Sequence, residues 1–178
     1  SGRLKQSVAD SSFDAWIKYY RQDENAPNAI VSYYAKGALV ALALDLTLRT
    51  KTRGTVTLDD VMRRLWADYG QTGQGVPEDG VRRAAEAVSG LKLKRFFDEA
   101  TEGTEDLPLE RLLHAVGLDL KFEAAGSAPV LGAKTANDGD SVKLTQVLDH
   151  GAAQRAGLSA GDVLVAFDGL RVTPASLD

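Results

Sequence analysis

Among its 178 residues the sequence has no cysteine, one methionine, two histidines and two tryptophans. Without cysteine there can be no disulfide, zinc ribbon, iron–sulfur cluster or thiol nucleophile, although the compartment stays open. The two histidines, His114 and His150, occur in no His-x-x-x-His or His-x-x-Glu spacing. No pair of metal ligands is therefore expected on one helix face, and a surface residue and a turn residue are the expected roles. A Gly-x-Ser-x-Gly elbow is also absent, which withdraws support for a serine hydrolase. With 21 Lys and Arg against 25 Asp and Glu, a net charge of −4 and no basic run, the chain lacks the footprint of a nucleic-acid binder. Its longest uncharged apolar run, Gly37 to Leu44, falls short of the ~20 residues a bilayer requires, so no membrane partner is expected.

What is present reads as a folded chain: 44% hydrophobic and 26% charged. The first residue is Ser1, the sole methionine is Met62, and Pro174 to Asp178 reads as the opening of another element. A piece of a longer protein is the expectation.

Up to about residue 117 the apolar residues follow a helical period. Behind an N-cap at Ser11-Ser12, Phe13, Trp16, Ile17 and Tyr20 form one stripe. Asp23 to Asn28 reads as a loop. From Val31 to Arg49 nearly every face is apolar, which predicts the buried centre of a bundle. Thr57 and Asp60 resemble a capping box, opening a helix with Leu58, Val61, Met62, Leu65 and Tyr69 as core face and Gly70 as stop. Pro77 fits the first turn of a helix running to Val88, Leu93 to Ala100 make another, and Leu109 to Leu113 a short one before Gly117. Six helices are expected.

Near Gly117 the period changes to two. Leu118, Leu120 and Phe122 alternate with charged residues, which is strand-like, and Ala124 to Pro129 reads as a linker. Beyond it lie Val130 to Thr135, a turn at Asn137-Asp138-Gly139, then Val142, Leu144 and Val147, a helical turn at 152–156 and a strand at 163–167. The expected fold is α+β and mainly α: a helical unit over 1–124 and a β-rich unit over 125–178.

Few side chains suggest chemistry. Tyr33 and Tyr34 sit on the apolar helix, where a tyrosine either packs with its hydroxyl bonded to a carbonyl or, facing a cleft, donates to a developing oxyanion. Asp45 shares a face with Tyr34 and is expected to pair with Arg49. Leu131-Gly132-Ala133 before a strand could converge backbone N–H groups on a carboxylate, or could simply be a turn.

Two resemblances then enter. Residues 151–169, Gly-Ala-Ala-Gln-Arg-Ala-Gly-Leu-Ser-Ala-Gly-Asp-Val-Leu-Val-Ala-Phe-Asp-Gly, resemble the signature half of a bacterial PDZ domain. By that resemblance Leu131, Gly132, Ala133 and Lys134 form the peptide-binding loop and the start of the ligand-pairing strand. The groove's second wall would follow Val172, so the module is expected to be truncated. Residues 11–21, Asp23-Glu24-Asn25, 32–46 and 107–113 resemble the C-terminal helical part of the PDZ-containing glycyl aminopeptidases, zinc metallopeptidases of the thermolysin-like, gluzincin kind. The Tyr34-Ala35-Lys36-Gly37 segment is similar to the Tyr-x-Lys-Gly context in which related aminopeptidases carry an oxyanion-stabilising tyrosine. The resemblance therefore implies that role for Tyr34, zinc in the full-length enzyme but none in this chain, which lacks His-Glu-x-x-His, and a peptide substrate. Alone, the chain is expected to be inactive. The alternative is a non-catalytic module whose PDZ half binds protein C-termini on a helical scaffold. Self-association through residues 130–178 is also expected, because an unfinished sheet exposes strand edges.

Overall fold

The structure, a computed structural model, describes residues 2–123, 126 and 128–176. Seven α-helices precede residue 115: α1 (Val8–Phe13), α2 (Ala26–Ala29), α3 (Tyr33–Lys51), α4 (Leu58–Leu65), α5 (Gly80–Ser89), α6 (Lys94–Phe97) and α7 (Leu109–His114). Three of them run on into π-helical turns, at Ala15–Tyr19, Trp66–Gly70 and Asp98–Glu102. The β-rich part follows, with β1 (Ala133–Asp138), β2 (Ser141–Val147), α8 (Ala152–Arg155), β3 (Val163–Leu164), β4 (Ala166–Phe167) and β5 (Leu170–Arg171).

The central helix is the one expected. Ser32 caps α3 by accepting the Ala35 N–H at 3.2 Å. Over its length residues 26–51 are long and apolar enough to cross a membrane. The fold uses the C-terminal half of α3 as core: Leu44 and Leu48 are buried against Val61 of α4, Ala84 and Ala85 of α5, and Leu93. The capping box also forms, with the Asp60 carboxylate accepting from the Thr57 N–H at 2.9 Å and from its hydroxyl at 3.0 Å. Asp45 does more than its expected ion pair. One oxygen takes Arg49 at 2.7 Å, and the other accepts the Leu58 N–H at 2.8 Å, satisfying a free donor of the first turn of α4.

Several expectations are corrected. The first helix opens at Ser7, whose side chain accepts the Asp10 N–H, rather than at Ser11-Ser12. Its apolar stripe faces outward: Phe13 is 91% exposed, Trp16 79% and Ile17 67%. Met62 likewise leaves the core face of α4 and is exposed. The loop at 23–28 ends in α2, and the helix expected from Pro77 begins at Gly80 after a turn in which the Gly80 N–H bonds the Pro77 carbonyl. Residues 118–123 alternate in character but form no strand, since among the described residues no strand pairs with them.

In the β-rich part, β1-β2-β3 make one antiparallel sheet and β4-β5 a separate hairpin. Asn137 pairs with Val142 and Asp138 with Ser141, so of the turn expected at Asn137-Asp138-Gly139 only Gly139 lies in the β1–β2 turn, with Asp140. The strand expected over 163–167 is divided at Val165 between the two sheets. Asp168 and Gly169 both take positive φ, 49° and 77°, as the tight turn joining β4 to β5 requires. The boundary expected between Ala124 and Ala128 falls mainly on residues 124, 125 and 127, which lie outside the described residues.

Candidate functional site

The π-helical turn after α1 decides which side chains meet. Its bond from the Tyr20 N–H to the Ala15 carbonyl, 2.9 Å, shifts the helical register by one residue. Tyr19 and Tyr20 are thereby both turned toward the start of α3. The Tyr19 hydroxyl lies 3.1 Å from the Ser32 hydroxyl that caps that helix. The Tyr20 hydroxyl lies 2.8 Å from that of Tyr34 and 3.0 Å from that of Tyr33. The Tyr33 and Tyr34 rings stack with centroids 4.3 Å apart, and Tyr19 meets Tyr33 edge-on at 5.1 Å. Four phenols thus surround the N-terminus of the central helix.

Their acidities diverge. Hydrogen bonding by Tyr20, and secondarily by Tyr33, draws the Tyr34 hydroxyl below its ordinary value of 10.0. Tyr33 is held well above that value by its bond to Tyr20 and by its closeness to Tyr34. Hydrogen bonds that favour the ionised form of Tyr34 therefore come from the neighbouring phenols, Tyr20 first and Tyr33 second. Tyr34 is 60% exposed, on the same side as the uncovered Trp16 and Tyr20. Of the two alternatives open to a helix tyrosine, the geometry is that of a hydroxyl at a surface, not one sealed in the core.

Lys36, from the same Tyr-Ala-Lys-Gly segment, points elsewhere. It is buried at 7% exposure, and its ammonium donates to the carbonyls of Arg3 at 3.2 Å and Thr104 at 3.4 Å. Burial lowers its pKa. It borders an apolar cleft of about 760 Å³, with Val31, Leu39, Leu107 and Phe122 among its walls. That cleft opens on the side of α3 away from Tyr34, since residues 32, 36 and 39 follow one helical stripe and residue 34 another.

The other candidate residues lie apart from the phenols. Gly132 takes φ +74°, and a Cβ there would meet the Gly151 Cα at 2.8 Å, so the position demands glycine for both conformation and space. The Leu131 and Gly132 carbonyls accept from the Ala153 and Leu148 N–H groups, each at 2.8 Å. Ala133 and Lys134 open β1, which among the described residues pairs only with β2 and leaves its other edge without a strand partner, with Lys134 exposed. His114 is exposed beside Asp119 at 3.1 Å, and His150 is a turn residue with φ 61°. Among the described residues no group of three or more His, Asp or Glu could hold a metal ion, so these residues do not fit a zinc centre. Sequence reading named Tyr34 but missed Tyr19 and Tyr20 as its partners. The signal was Tyr19 beside Tyr20 at the end of the stripe, but a 3.6-residue period cannot reveal a π-helical turn.

No curated protein matches this chain. The family model of the M61 glycyl aminopeptidases matches residues 1–40, which hold all four of these tyrosines. The crystal structure of the aminopeptidase N family protein from Idiomarina loihiensis is similar over 99% of this chain, with 39% identity and a TM-score of 0.84. This chain spans only 32% of that protein's length. One likeness of sequence, to a family model, and one of structure, to a single protein, thus agree in supporting the peptidase family.

Proposed function

We propose that this chain is the C-terminal part of a bacterial zinc-dependent aminopeptidase of the glycyl aminopeptidase, gluzincin kind, and that Tyr34 is its oxyanion donor. The observation that carries this reading is the Tyr34 hydroxyl, presented on an uncovered surface and made more acidic by Tyr20 and Tyr33. When a peptide carbonyl beside a short N-terminal residue is attacked, its oxygen gains negative charge. A phenol that stays protonated and donates a hydrogen bond stabilises that charge more in the transition state than in the substrate. Tyr19, through the Ser32 cap, holds the helix that carries the phenol. Zinc supplies electrophilic catalysis in such enzymes, and its ligands would come from residues outside this chain, which alone would be inactive. The helical unit over 1–124 would form one side of the active site. The unit over 125–178 would be a partial PDZ module taking a peptide at Leu131, Gly132, Ala133 and Lys134.

In the full-length enzyme Tyr34→Phe should lower kcat by about 10²–10³ with little change in KM, since one oxyanion donor is lost while substrate contacts remain. An unchanged kcat would remove Tyr34 from the mechanism.

A second reading is favoured by the outer edge of β1, unpaired among the described residues: a non-catalytic module that captures protein C-termini by strand addition. Titration with peptides bearing free or amidated C-termini distinguishes it, because only a carboxylate-reading loop tells the two apart.

A further inference from the structure

The buried polar side chains among the described residues are Gln6, Ser7, Ser11, Asn28 and Lys36, and all five belong to the segments around the start of α3. Buried polar groups are costly unless fully bonded, so what they bond to shows what they hold. Asn28 is the most informative. Its side-chain amide donates to the Val147 carbonyl at 2.8 Å, while its side-chain oxygen accepts the Asp149 N–H at 2.8 Å. A carbonyl at one residue and an N–H two residues later are the pair that a neighbouring strand would read. Asn28 thus extends the end of β2 as one further backbone unit would. Beside it Lys5 forms an ion pair with Asp149.

The segment so held is the one on which the loop 131–132 rests. The Leu148 N–H bonds the Gly132 carbonyl, the Ala153 N–H bonds the Leu131 carbonyl, and Gly151 backs directly onto Gly132. On the other side, Asn28 leads within six residues to Tyr34, and the intervening chain is clamped. The Val31 N–H donates to the Gln6 side chain at 3.1 Å, and the Ser11 hydroxyl donates to the Val31 carbonyl at 2.6 Å.

We propose that Asn28 is a positioning residue that docks the β-rich part on the helical part and couples the loop at Leu131–Gly132 to the helix start that carries Tyr34. The coupling has a catalytic meaning only if the readings of that loop and of Tyr34 given above hold: a peptide at the loop would then adjust the phenol through residues 147–149 and Asn28.

Amide hydrogen exchange on the chain tests the coupling without any peptide. In Asn28→Ala the Leu148, Asp149 and Ala153 amides should exchange about 10- to 100-fold faster, as the loss of two ordinary hydrogen bonds requires. The Ala35 and Lys36 amides at the start of α3 should quicken as well, and Leu48 should not. Asn28→Asp keeps an acceptor for the Asp149 N–H but sets a buried carboxylate oxygen against the Val147 carbonyl, so it should give the same pattern at no smaller size. Gly132→Ala, which acts from the other end, should also quicken Ala35. If exchange changes only at residues 25–30 and 147–149, with Ala153 and Ala35 unmoved in these variants, Asn28 is a local cap and the coupling is wrong. Failure of peptide capture in the free-versus-amidated titration would remove the binding reading and leave these exchange results standing.

Discussion

At the scale of single residues the chemistry rests on a difference between neighbours. Tyr33 and Tyr34 are adjacent on one helix, yet Tyr33 is pushed above the ordinary tyrosine range and Tyr34 drawn below it. Tyr20, within hydrogen-bond distance of both, is the largest cause in each case. Tyr20→Phe should therefore return the Tyr34 titration upward toward about 10, read as the absorbance difference between that variant and Tyr20→Phe with Tyr34→Phe. No change would mean that Tyr20 does not bond Tyr34 in solution. Acid behaviour is also a residue matter. The Thr57 N–H, then its hydroxyl, holds the Asp60 carboxyl below its usual value. A folded pKa below the unfolded one stabilises the protein above the unfolded value of about 3.9, and that contribution is lost as pH falls through the folded value. Between pH 5 and pH 3, approximate bounds set by that unfolded value, Asp60→Asn should lose less melting temperature than the parent chain. An identical acid slope would refute the linkage.

At the scale of elements, pattern sufficed wherever the fold uses the pattern directly. Residues Val31 to Arg49 read as a central helix because almost every face is apolar, and Leu48 is indeed fully buried. Leu48→Ala should cost about 2–5 kcal/mol in denaturant unfolding, since α4 and α5 close around it and cannot collapse into the space. Met62→Ala, on an exposed position of α4, should stay within about 0.5 kcal/mol. Equal losses in the two variants would mean that the bundle is packed differently. Pattern misled where an apolar face has a purpose other than this core. The stripe Phe13, Trp16 and Ile17 has the spacing of a buried face and lies open, because periodicity reports that a face will be covered, not by what. The alternation at 118–123 failed for a related reason: a strand needs a partner, and none adjoins it among the described residues.

Over the whole molecule, exposed apolar side chains among the described residues gather around Trp16 and, in the β-rich part, at Val165, Phe167 and Leu170. Association through residues 130–178 should be visible by light scattering, with Phe167→Lys dispersing it and Trp16→Lys leaving it in place. A clean monomer at high concentration would dismiss that proposal. Composition and local spacing determined by themselves that this chain is mainly helical with a β-rich end and that Thr57 and Asp60 open a helix, while it was resemblance that singled out Tyr34 from its neighbour. The first two are short-range matters, fixed by side-chain period and capping. Only tertiary structure decided that four phenols gather at one helix end, that the aromatic stripe faces outward, and that Asn28 joins the two parts of the chain. Those depend on a π-helical turn and on pairings between residues more than a hundred positions apart, which no local window of sequence contains.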